Sequence, residues 1–532
     1  MGKINEKDEI FKKNKKIAND LRGKVAGWDF KSYVLCGLFF RYLSENISNR
    51  INQQARDAGD YEFNYPDLSD EKIKNLDGFS QKYIDEIGFF LYPSELFCNV
   101  LENAHDNENL NETLKTIFKN IENSSLGSPS EKCFSGLFKD FDVNSVNLGS
   151  SVKKRNENLV KLLDGIAQMN FGDYKELSFD LLGDAYEYLM HMYEKNGRKS
   201  GGEYFTPQQV SILLTKLCLL KYDGTYKSSV RKVYDPTCGS GSLLLKSAKI
   251  LGKDNVDVGF FGQECNPTSY NLCRMNMFLH DVPYDKINIE CDDTLTNPKH
   301  SLDDELFEVI VSNPPYSIKW IGDNDVTLIN DPRFSPAGTL APKSKADFAF
   351  IMHSLSYLSP DGKAAIVCFP GIFYRSGAEQ KIRKYLVDNN FIDSIIQLPS
   401  NLFFGTSIST CILILSKNKP DNSVLFIDAS NEFIRAQNSN ELSDQNIENI
   451  LSIYSKRESK KHISDLIPNT EIEKNSYNLS VSSYVEKKSE NKKINLSELN
   501  EKIKKVVQRN SQLRKEINDI ISSLGGDNYV KA

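Results

Sequence analysis

Eight short apolar runs, separated by helical patterns, place the strongest limit on how this chain can fold. They occupy residues 232–236, 258–264, 287–290, 307–315, 364–370, 391–399, 409–417 and 423–429. Strands that alternate with helices in this way predict a doubly wound α/β sheet of the Rossmann-like kind. The last runs are joined by short polar loops, which predicts an antiparallel hairpin at one edge of the sheet.

The residues before this alternation follow a different pattern. Residues 17–47 and 177–197 carry apolar side chains at the spacing of one helix face, and we expect these faces to pack into a core. A polar stretch at 194–207 then separates the mostly helical part from the α/β part. We therefore predict four parts: a helical N-terminal domain at 1–195, an α/β domain at 196–430, a polar extension at 431–490, and a coiled-coil helix with its tail at 491–532.

The coiled-coil prediction rests on a heptad pattern near the C-terminus. Two core positions repeat at 3-4 spacing, at Leu496, Ile503, Asn510 and Ile517 and at Leu499, Val506, Leu513 and Ile520. Such a repeat is typical of helices that pair with other helices. An amphipathic helix folded onto its own domain is the alternative. Asn510 favours a partner, because a buried asparagine costs stability and fixes the register of a coiled coil.

Charge and cysteine content narrow the class of protein. The formal net charge is −6, whereas a protein that grips nucleic acid alone through many phosphates is usually basic. If the substrate is nucleic acid, basic residues must lie on one face or a partner must supply the grip. The ten cysteines include no C-x-x-C pair, so we expect neither a metal site nor a disulfide framework. The absence of a signal sequence and of a membrane-spanning apolar run predicts a cytoplasmic protein.

The segment DPTCGSGSLLL at 235–245 is the first candidate site. It follows the strand pattern KVY, and Gly239 and Gly241 permit positive φ and close approach of a ligand to the backbone. The spacing fits neither a Walker loop nor G-x-G-x-x-G, because Leu244 stands where the last glycine belongs. A ligand-free turn is the alternative interpretation. Glu264 ends the next predicted strand, where an acidic side chain can accept both hydroxyls of a ribose.

The segment FEVIVSNPPYS at 307–317 carries the strongest chemical signal. Two prolines directly after a buried strand make a stiff loop at the end of the strand where α/β sheets bind ligands. An aromatic exocyclic amine is a poor nucleophile, and its nitrogen must become pyramidal to attack a methyl sulfonium. The Asn313 side-chain oxygen and the Pro314 carbonyl can each accept one of its N–H groups. Tyr316 offers a ring on which a flipped base can stack, and a bare proline turn is the alternative.

Together these motifs resemble the amino-methyltransferase family. GGEYFTPQQV at 201–210 resembles motif X of that family, and it precedes both the glycine-rich turn and N-P-P-Y, which is the γ-type order of N6-adenine methyltransferases. Nearly the whole chain resembles the modification subunit of type I restriction–modification systems, closest to the IC branch. The segments that carry this resemblance include GWDFKSYVL at 27–35, LYPSELFCNV at 91–100, NLCRMNMFLH at 271–280, APKSKADFAF at 341–350 and FPGIFYR at 369–375.

The resemblance implies S-adenosylmethionine as the cofactor and a specific set of site residues. It carries cofactor contacts onto Glu203, Tyr204, Phe205, Thr206, Pro207, Gln208, Asp235, Gly239, Ser240, Gly241, Ser242 and Glu264. Asp293 is expected to meet the adenine of the cofactor, although Asp292 departs from the family pattern and leaves the choice between the two open. The implied catalytic set is Asn313, Pro314, Pro315 and Tyr316.

Four further residues are candidates for contacts with DNA. Phe403 is a candidate for stacking on the target base, with ordinary packing as the alternative. The long connection 318–348 places Arg333, Lys343 and Lys345 as candidates for phosphate contacts, with a solvated loop as the alternative.

The function that the resemblance implies is site-specific methylation of adenine N6 in double-stranded DNA. The implied partners are a specificity subunit, with two modification subunits per specificity subunit, and a restriction and translocase subunit. Two alternatives stay open: methylation of another planar amine, such as a protein glutamine or guanine N2 of RNA, and an assembly subunit with a dead active site. No Walker A motif is present, so cleavage would require another subunit.

Overall fold

A computed structural model describes residues 30–169, 206–302, 306–403, 407–436, 439–486 and 496–523. The chain divides into two compact units, the first ending at Glu486 and the second beginning at Lys487. The first unit holds a helical region and a nine-stranded sheet flanked by helices. The predicted fold class is confirmed, while the domain boundaries at 195, 430 and 490 stay predictions.

The helical region is built around one long helix, α1. Its helices are α1 (Phe30–Asp57), α2 (Asp70–Lys74), α3 (Phe79–Ile87), α4 (Phe97–Asn103), α5 (Leu110–Ser124), α6 (Glu131–Phe134) and α7 (Val152–Gln168). The predicted apolar face of α1, which includes Val34, Leu38 and Leu43, is buried, and α1 packs on α4 and α7. This confirms core packing for that face. The second predicted face, at 177–197, lies outside the described residues.

The sheet contains all eight predicted strands and one more. The strands are β1 (Val230–Asp235), β2 (Val256–Glu264), β3 (Ile287–Cys291), β4 (Phe307–Ser312), β5 (Leu358–Cys368), β6 (Ile392–Gln397), β7 (Cys411–Ser416), β8 (Ser423–Asp428) and β11 (Ser464–Pro468), in the order β11-β8-β6-β7-β5-β4-β1-β2-β3. The short strands β9 (Ile434–Arg435) and β10 (Asn440–Glu441) form a separate antiparallel pair.

Helices cover both faces of the sheet, which explains why its central strands are continuously apolar. They are α8 (Gln208–Leu219), α9 (Ser242–Leu251), α10 (Pro267–Leu279), α11 (Asp347–Tyr357), α12 (Ala378–Asp388), α13 (Asp444–Lys456) and α14 (Asn469–Lys474). In β4, Val309 and Val311 join the core on one face, while Phe307 and Ile310 join the core on the other. A strand buried on both faces has no polar side to alternate with.

The predicted antiparallel hairpin is present, but it does not lie at the edge of the sheet. β6 and β7 pair antiparallel, and β8 then pairs with β6 in parallel while β11 pairs with β8 antiparallel. The prediction missed β11 because its five residues, SDLIP, contain one short apolar pair inside a polar stretch. Two strands that follow the hairpin in sequence therefore cover its outer side.

The parallel strands place the candidate segments that follow β1, β2, β3 and β4 at one edge of the sheet. β1 pairs in parallel with β2 and β4, and β2 pairs in parallel with β3. Because parallel strands end at the same edge, the segments after β1, β2, β3 and β4 meet there, as expected for a ligand site of an α/β fold. Among the helices of the described residues, none is long and apolar enough to span a bilayer.

The described residues of the second unit form the helix α15 (Leu496–Ser523). It confirms the helix that the heptad pattern predicts. Its apolar heptad side chains are exposed to between 39% and 60%, at Ile503, Val506, Leu513, Ile517 and Ile520.

Candidate active site

The glycine-rich turn joins the end of β1 to the start of α9. Gly239 has φ 54° and Gly241 has φ 83°, so both adopt the left-handed backbone that the sequence predicts. A Cβ on Gly241 would lie 2.7 Å from Cys273 Sγ, and α10 therefore needs this glycine for packing. A Cβ on Gly239 would meet no heavy atom of the described residues within 4 Å. Gly239 is thus the glycine whose backbone a ligand can approach.

Asp235 ends β1 with one carboxylate oxygen satisfied and the other not. The residue is 1% exposed, and its Oδ1 accepts from the Thr237 backbone N–H at 2.9 Å. Its buried Oδ2 has no hydrogen-bond partner among the residues that the structure describes. Burial, together with the nearby charge of Glu264, raises the pKa of Asp235 to about 8. A positively charged ligand group would supply the missing partner and favour the carboxylate form.

Glu264, at the end of β2, is anchored to the glycine-rich turn. Its Oε2 accepts from the Gly239 N–H at 3.0 Å, and its Oε1 accepts from the Asn266 N–H at 2.8 Å. Oε1 also accepts from the Cys265 thiol at 3.6 Å, so Oε2 is the oxygen that can accept a second hydrogen bond. The half-buried Glu264 carboxylate therefore lies beside the approachable glycine and retains capacity for hydroxyl donors, as the sequence predicts for a ribose site.

The structure distinguishes the two aspartates that follow β3. Asp292 Oδ2 accepts from Asn297 Nδ2 at 2.6 Å and pairs with Lys299 Nζ at 3.0 Å. Lys299 is the main reason that the pKa of Asp292 is lowered. Asp293 is exposed, and within the described residues its Oδ1 accepts a local bond from the Leu295 N–H at 2.8 Å. Of the two, Asp293 is the side chain with more capacity to meet a ligand.

The N-P-P-Y segment after β4 is held by hydrogen bonds on both sides of the Asn313 amide. Asn313 Nδ2 donates to Thr206 Oγ1 at 2.9 Å, and the Tyr316 hydroxyl donates to Asn313 Oδ1 at 2.7 Å. Thr206 is 6% exposed, whereas Asn313 and Tyr316 are half-buried. Thr206, the first described residue of the predicted motif X, therefore helps to orient the predicted catalytic amide.

Two further contacts bind the loops of this edge to one another. The hydroxyls of Thr237 and Ser312 lie 3.1 Å apart, which joins the glycine-rich turn to the end of β4. Thr294 Oγ1 donates to the Pro236 carbonyl at 2.5 Å, which joins that turn to the segment after β3. The structure thus brings the segments that contain Asp235, Glu264, Asp293 and Asn313 together at one edge.

The remaining predicted residues divide between the described and the undescribed parts of the chain. Glu203, Tyr204 and Phe205 lie outside the described residues. Pro207 and Gln208 begin α8, Ser242 begins α9, and the Ser240 carbonyl accepts from Asn276 Nδ2 at 3.0 Å. Pro314 is buried and Pro315 is half-buried beside Asn313.

The prediction of a phosphate contact for Arg333 is wrong. Arg333 is 3% exposed, pairs with Asp331 at 2.7 Å, and donates to the Thr294 and Leu295 carbonyls at 2.8 Å. The Arg333 guanidinium joins the long connection to the segment after β3. A positively charged residue in the sequence gives no sign of such a buried role. Lys343 pairs with Asp323 at 3.0 Å.

Phe403 is 1% exposed within the core, which supports packing over stacking on a base. The phosphate contacts of Lys343 and of the half-buried Lys345 stay predictions.

The sequence reasoning missed Asp347 as a site residue, although it lies in the segment APKSKADFAF. Both oxygens of its carboxylate accept from the backbone N–H of Ser317, the residue after N-P-P-Y, at 3.2 Å each. The available signal was an acidic residue at the start of a predicted helix, where it is expected to cap backbone N–H groups. The contact with Ser317 spans 30 residues and has no local signature.

Comparison with known families defines the class. Residues 177–493 match the N-6 DNA methylase family, and residues 12–166 match the HsdM N-terminal domain family. The first match alone covers more than half of the chain. The order of the two matches agrees with a helical region that precedes the sheet.

Individual relatives agree with this class. The type I restriction enzyme MpnII methylase subunit of Mycoplasma pneumoniae is 46% identical over 98% of this chain and 97% of its own length. The MjaVIII methylase subunit of Methanocaldococcus jannaschii is 30% identical over 94% of this chain and 82% of its own length. A solved type I restriction-modification methyltransferase subunit from Streptococcus thermophilus has a TM-score of 0.79 and 35% identity, covering 90% of this chain and 100% of that chain.

The chain therefore belongs to the N-6 DNA methylase family, and within it to the methylase subunits of type I restriction enzymes. The resemblance to type I modification subunits is confirmed, while the assignment to the IC branch stays a prediction.

Proposed function

We propose that this chain transfers a methyl group from S-adenosylmethionine to N6 of a flipped adenine in double-stranded DNA, as the modification subunit of a type I restriction–modification complex. The observation that carries the proposal is the Asn313 amide, held between Thr206 and Tyr316 at the sheet edge that also holds the unpaired oxygen of Asp235.

The residues at the ends of β1, β2 and β3 fit the proposed cofactor. S-adenosylmethionine carries positive charge on its sulfonium and amino groups, and Asp235 Oδ2 is a buried acceptor without a donor among the described residues. Glu264 offers acceptors for the ribose hydroxyls beside Gly239, and the exposed Asp293 is our candidate for the adenine contact. When bound, the cofactor supplies an electrophilic methyl group.

The N-P-P-Y segment fits an amine that must become pyramidal. The Asn313 side-chain oxygen and the Pro314 carbonyl accept one N–H each, which orients the nitrogen lone pair and stabilises the positive charge that develops on nitrogen. A carbonyl oxygen has two lone pairs, so Asn313 Oδ1 can accept from the amine beside, or in place of, the Tyr316 hydroxyl. With the cofactor bound, the N6 nitrogen would form a bond to the methyl carbon as the methyl–sulfur bond breaks and leaves its electron pair on sulfur. The methylated nitrogen would then lose one proton to solvent.

The alternatives explain the observations less well. A catalytically inactive assembly subunit has no need of an Asn313 amide fixed from both sides, or of a buried Asp235 oxygen without a donor among the described residues. Methylation of a protein glutamine or of guanine N2 would use the same acceptors, but membership of the N-6 DNA methylase family favours adenine in DNA.

We also propose that α15 docks on the helical part of a specificity subunit. The net charge of −6 disfavours strong DNA binding by this chain alone. The apolar seam of α15 is exposed, and burial of one such side chain contributes about 1.5–3 kcal/mol. The proposed assembly contains two modification subunits per specificity subunit, together with a restriction and translocase subunit.

The tail proposal predicts a separation of binding functions. Deletion from residue 490 onward should leave S-adenosylmethionine binding intact but abolish assembly with the specificity subunit. Val506→Asp with Leu513→Asp should do the same, because the charges disrupt the seam. Size-exclusion chromatography of the coexpressed subunits measures assembly. A truncated chain that still forms the full complex would make the helical region the better candidate.

The decisive test of the function uses the coexpressed complex and DNA from a host that lacks the system. Digested DNA should contain N6-methyladenine by mass spectrometry only when S-adenosylmethionine is supplied. Methylcytosine alone, or methylated protein alone, would overturn the proposal.

A further inference from the structure

The chain reverses direction immediately behind the predicted stacking ring. Ser317 follows Tyr316 and has φ 51°, a left-handed conformation that side chains other than glycine seldom adopt. Its backbone N–H is directed at Asp347 and donates to both carboxylate oxygens at 3.2 Å. A strained residue at this point requires surrounding contacts that hold it there.

Asp347 is fixed in turn by the element that carries it. It is the first residue of α11, where the helix dipole favours a negative charge, and it is 6% exposed. Two backbone bonds close the long connection at the same place, from Ala346 N–H to the Ile318 carbonyl at 2.9 Å and from Trp320 N–H to the Lys343 carbonyl at 3.0 Å. The Asp347 carboxylate is therefore a rigid anchor for the N-P-P-Y segment.

The charges around Asp347 set its protonation. Burial raises the pKa of Asp347, while its bond from Ser317 and the positive charges of Arg375 and Lys345 lower that pKa. The charge of Asp347 raises the pKa of the Glu379 carboxyl, which is 3% exposed, and of the buried Cys368 thiol, so both groups lie within its electrostatic range. Protonation of Asp347 would turn one of the two acceptor oxygens that face the Ser317 N–H into an O–H donor.

We propose that Asp347 is a positioning residue for methyl transfer, whose carboxylate fixes Ser317 and thereby the ring and hydroxyl of Tyr316 against the Asn313 amide. The proposal rests on the proposed function. The contacts run from Asp347 to Ser317 at 3.2 Å, and from Tyr316 to Asn313 at 2.7 Å. Asp347 touches no reacting atom, so it acts only through the placement of Tyr316.

The test is Asp347→Asn in the full coexpressed complex. The amide has the shape of the carboxylate but keeps only one acceptor oxygen for the Ser317 N–H and places an NH2 donor where the second oxygen was. Asp325→Asn is a matched control, because the half-buried Asp325 accepts from the Thr327 N–H on Oδ1 at 2.9 Å in the same long connection. Turnover to N6-methyladenine at saturating S-adenosylmethionine should fall by roughly 10- to 100-fold in Asp347→Asn, as expected for a misplaced reacting group. It should be unchanged in Asp325→Asn.

Two further readouts separate positioning from a general effect on folding. S-adenosylmethionine affinity, by calorimetry, and the melting temperature should be the same in wild type and Asp347→Asn. The wild-type turnover at saturating cofactor should decline as pH falls through the raised pKa of Asp347, and this acid decline should be absent in Asp347→Asn.

Three results would overturn the proposal: normal turnover of Asp347→Asn, the same acid decline in that variant, or a parallel loss of cofactor affinity and melting temperature. A wild-type complex that makes no N6-methyladenine would instead reject the proposed function itself. The two failures are therefore distinguishable.

Discussion

The two halves of the candidate site differ in how their acceptor oxygens are satisfied. In the cofactor half, Asp235 Oδ2 is buried without a hydrogen-bond partner among the described residues. In the target half, Asn313 Oδ1 already accepts from the Tyr316 hydroxyl at 2.7 Å, and Thr206 accepts from the Asn313 amide nitrogen at 2.9 Å. A buried acceptor without a donor costs about 1–3 kcal/mol. The cofactor half therefore gains a missing partner when its ligand binds, whereas the target half exchanges or shares a partner.

This difference means that the halves should respond to different perturbations. Affinity for the cofactor should depend on the charge of Asp235 and hence on pH. Turnover should depend on the orientation of Asn313, which the Thr206 and Tyr316 hydroxyls hold, and on the Asp347 carboxylate that we propose positions Tyr316. The predictions below test this separation, from the largest expected effect to the smallest.

The largest effect is expected for Asn313→Ala. The variant loses an acceptor whose bond to the amine strengthens as positive charge develops, so turnover should fall by roughly 100-fold or more. Cofactor affinity should stay unchanged, because the contacts of Asp235 and Glu264 do not include Asn313. The measurements are N6-methyladenine formation by the complex and calorimetry of S-adenosylmethionine binding. Asn389→Ala, at the exposed end of α12, is the matched control. Equal losses of affinity and turnover in Asn313→Ala would remove the proposed separation.

The second prediction is a pH dependence of cofactor affinity. The pKa of Asp235 is about 8 in the absence of a ligand, and the cationic ligand should bind the carboxylate form. Affinity should therefore rise with pH, by up to about tenfold per pH unit below that pKa, and level off above it. Asp235→Asn should bind more weakly and lose this protonation-linked rise. Calorimetry at about 1-unit intervals between pH 6 and 9 measures the slope. The same series on Asp235→Asn shows how much of the slope comes from titration of the cofactor itself.

The raised pKa of Asp235 also makes stability depend on pH, in the direction opposite to that of a carboxylate whose pKa an ion pair lowers. A carboxyl whose pKa rises from 3.8 to about 8 on folding binds its proton more tightly in the folded state. The ligand-free protein therefore loses stability as pH increases through that interval, and ligand binding restores it. The rise in melting temperature on adding S-adenosylmethionine should thus grow toward pH 8 in wild type. An equal rise in Asp235→Asn would contradict the assignment of the cation to Asp235.

Residue patterns predict the elements of this site better than they predict the contacts between them. β4 and its N-P-P-Y segment are recognisable because the apolar run predicts a buried strand and the two prolines end it. The Asn313–Thr206 bond spans 107 residues and the Arg333–Thr294 bond spans 39, so neither has a local pattern. Predicting that Arg333 is buried requires knowing that the segment after β3 lies beside it.

Gly239 and Gly241 also show that the sequence predicts a local conformation better than it predicts contacts. Both occur in one predicted turn and both have positive φ, but only the structure shows that Gly241 faces Cys273 while Gly239 faces open space. A large side chain at Gly241 would therefore disturb α10 rather than test a backbone contact with the cofactor.

This contrast gives the third prediction. Alanine at either glycine is strained by about 1–2 kcal/mol in left-handed backbone. Gly241→Ala should lower the melting temperature more than Gly239→Ala, because its Cβ would also lie 2.7 Å from Cys273 Sγ. Gly239→Ala should chiefly weaken S-adenosylmethionine binding. Thermal denaturation without cofactor and calorimetry with it separate the two effects. If Gly239→Ala binds the cofactor normally, the open space beside Gly239 is not the cofactor site.

The smallest effect is expected for Tyr316→Phe, which keeps the ring and removes the hydroxyl. Asn313 is still held by Thr206, so turnover should fall by the equivalent of about 0.5–1.5 kcal/mol, the usual contribution of one hydrogen bond. Thr206→Val should have a similar effect from the other side of the amide. The double variant should lose more than the sum of the two, because each of these contacts restrains the amide and the double variant removes both. Single-turnover methylation at saturating cofactor measures all three. If the turnover losses of the two variants are additive in the double variant, the two contacts do not act on a shared amide orientation. A turnover loss in Tyr316→Phe as large as that in Asn313→Ala would make the tyrosine hydroxyl itself essential to the transfer.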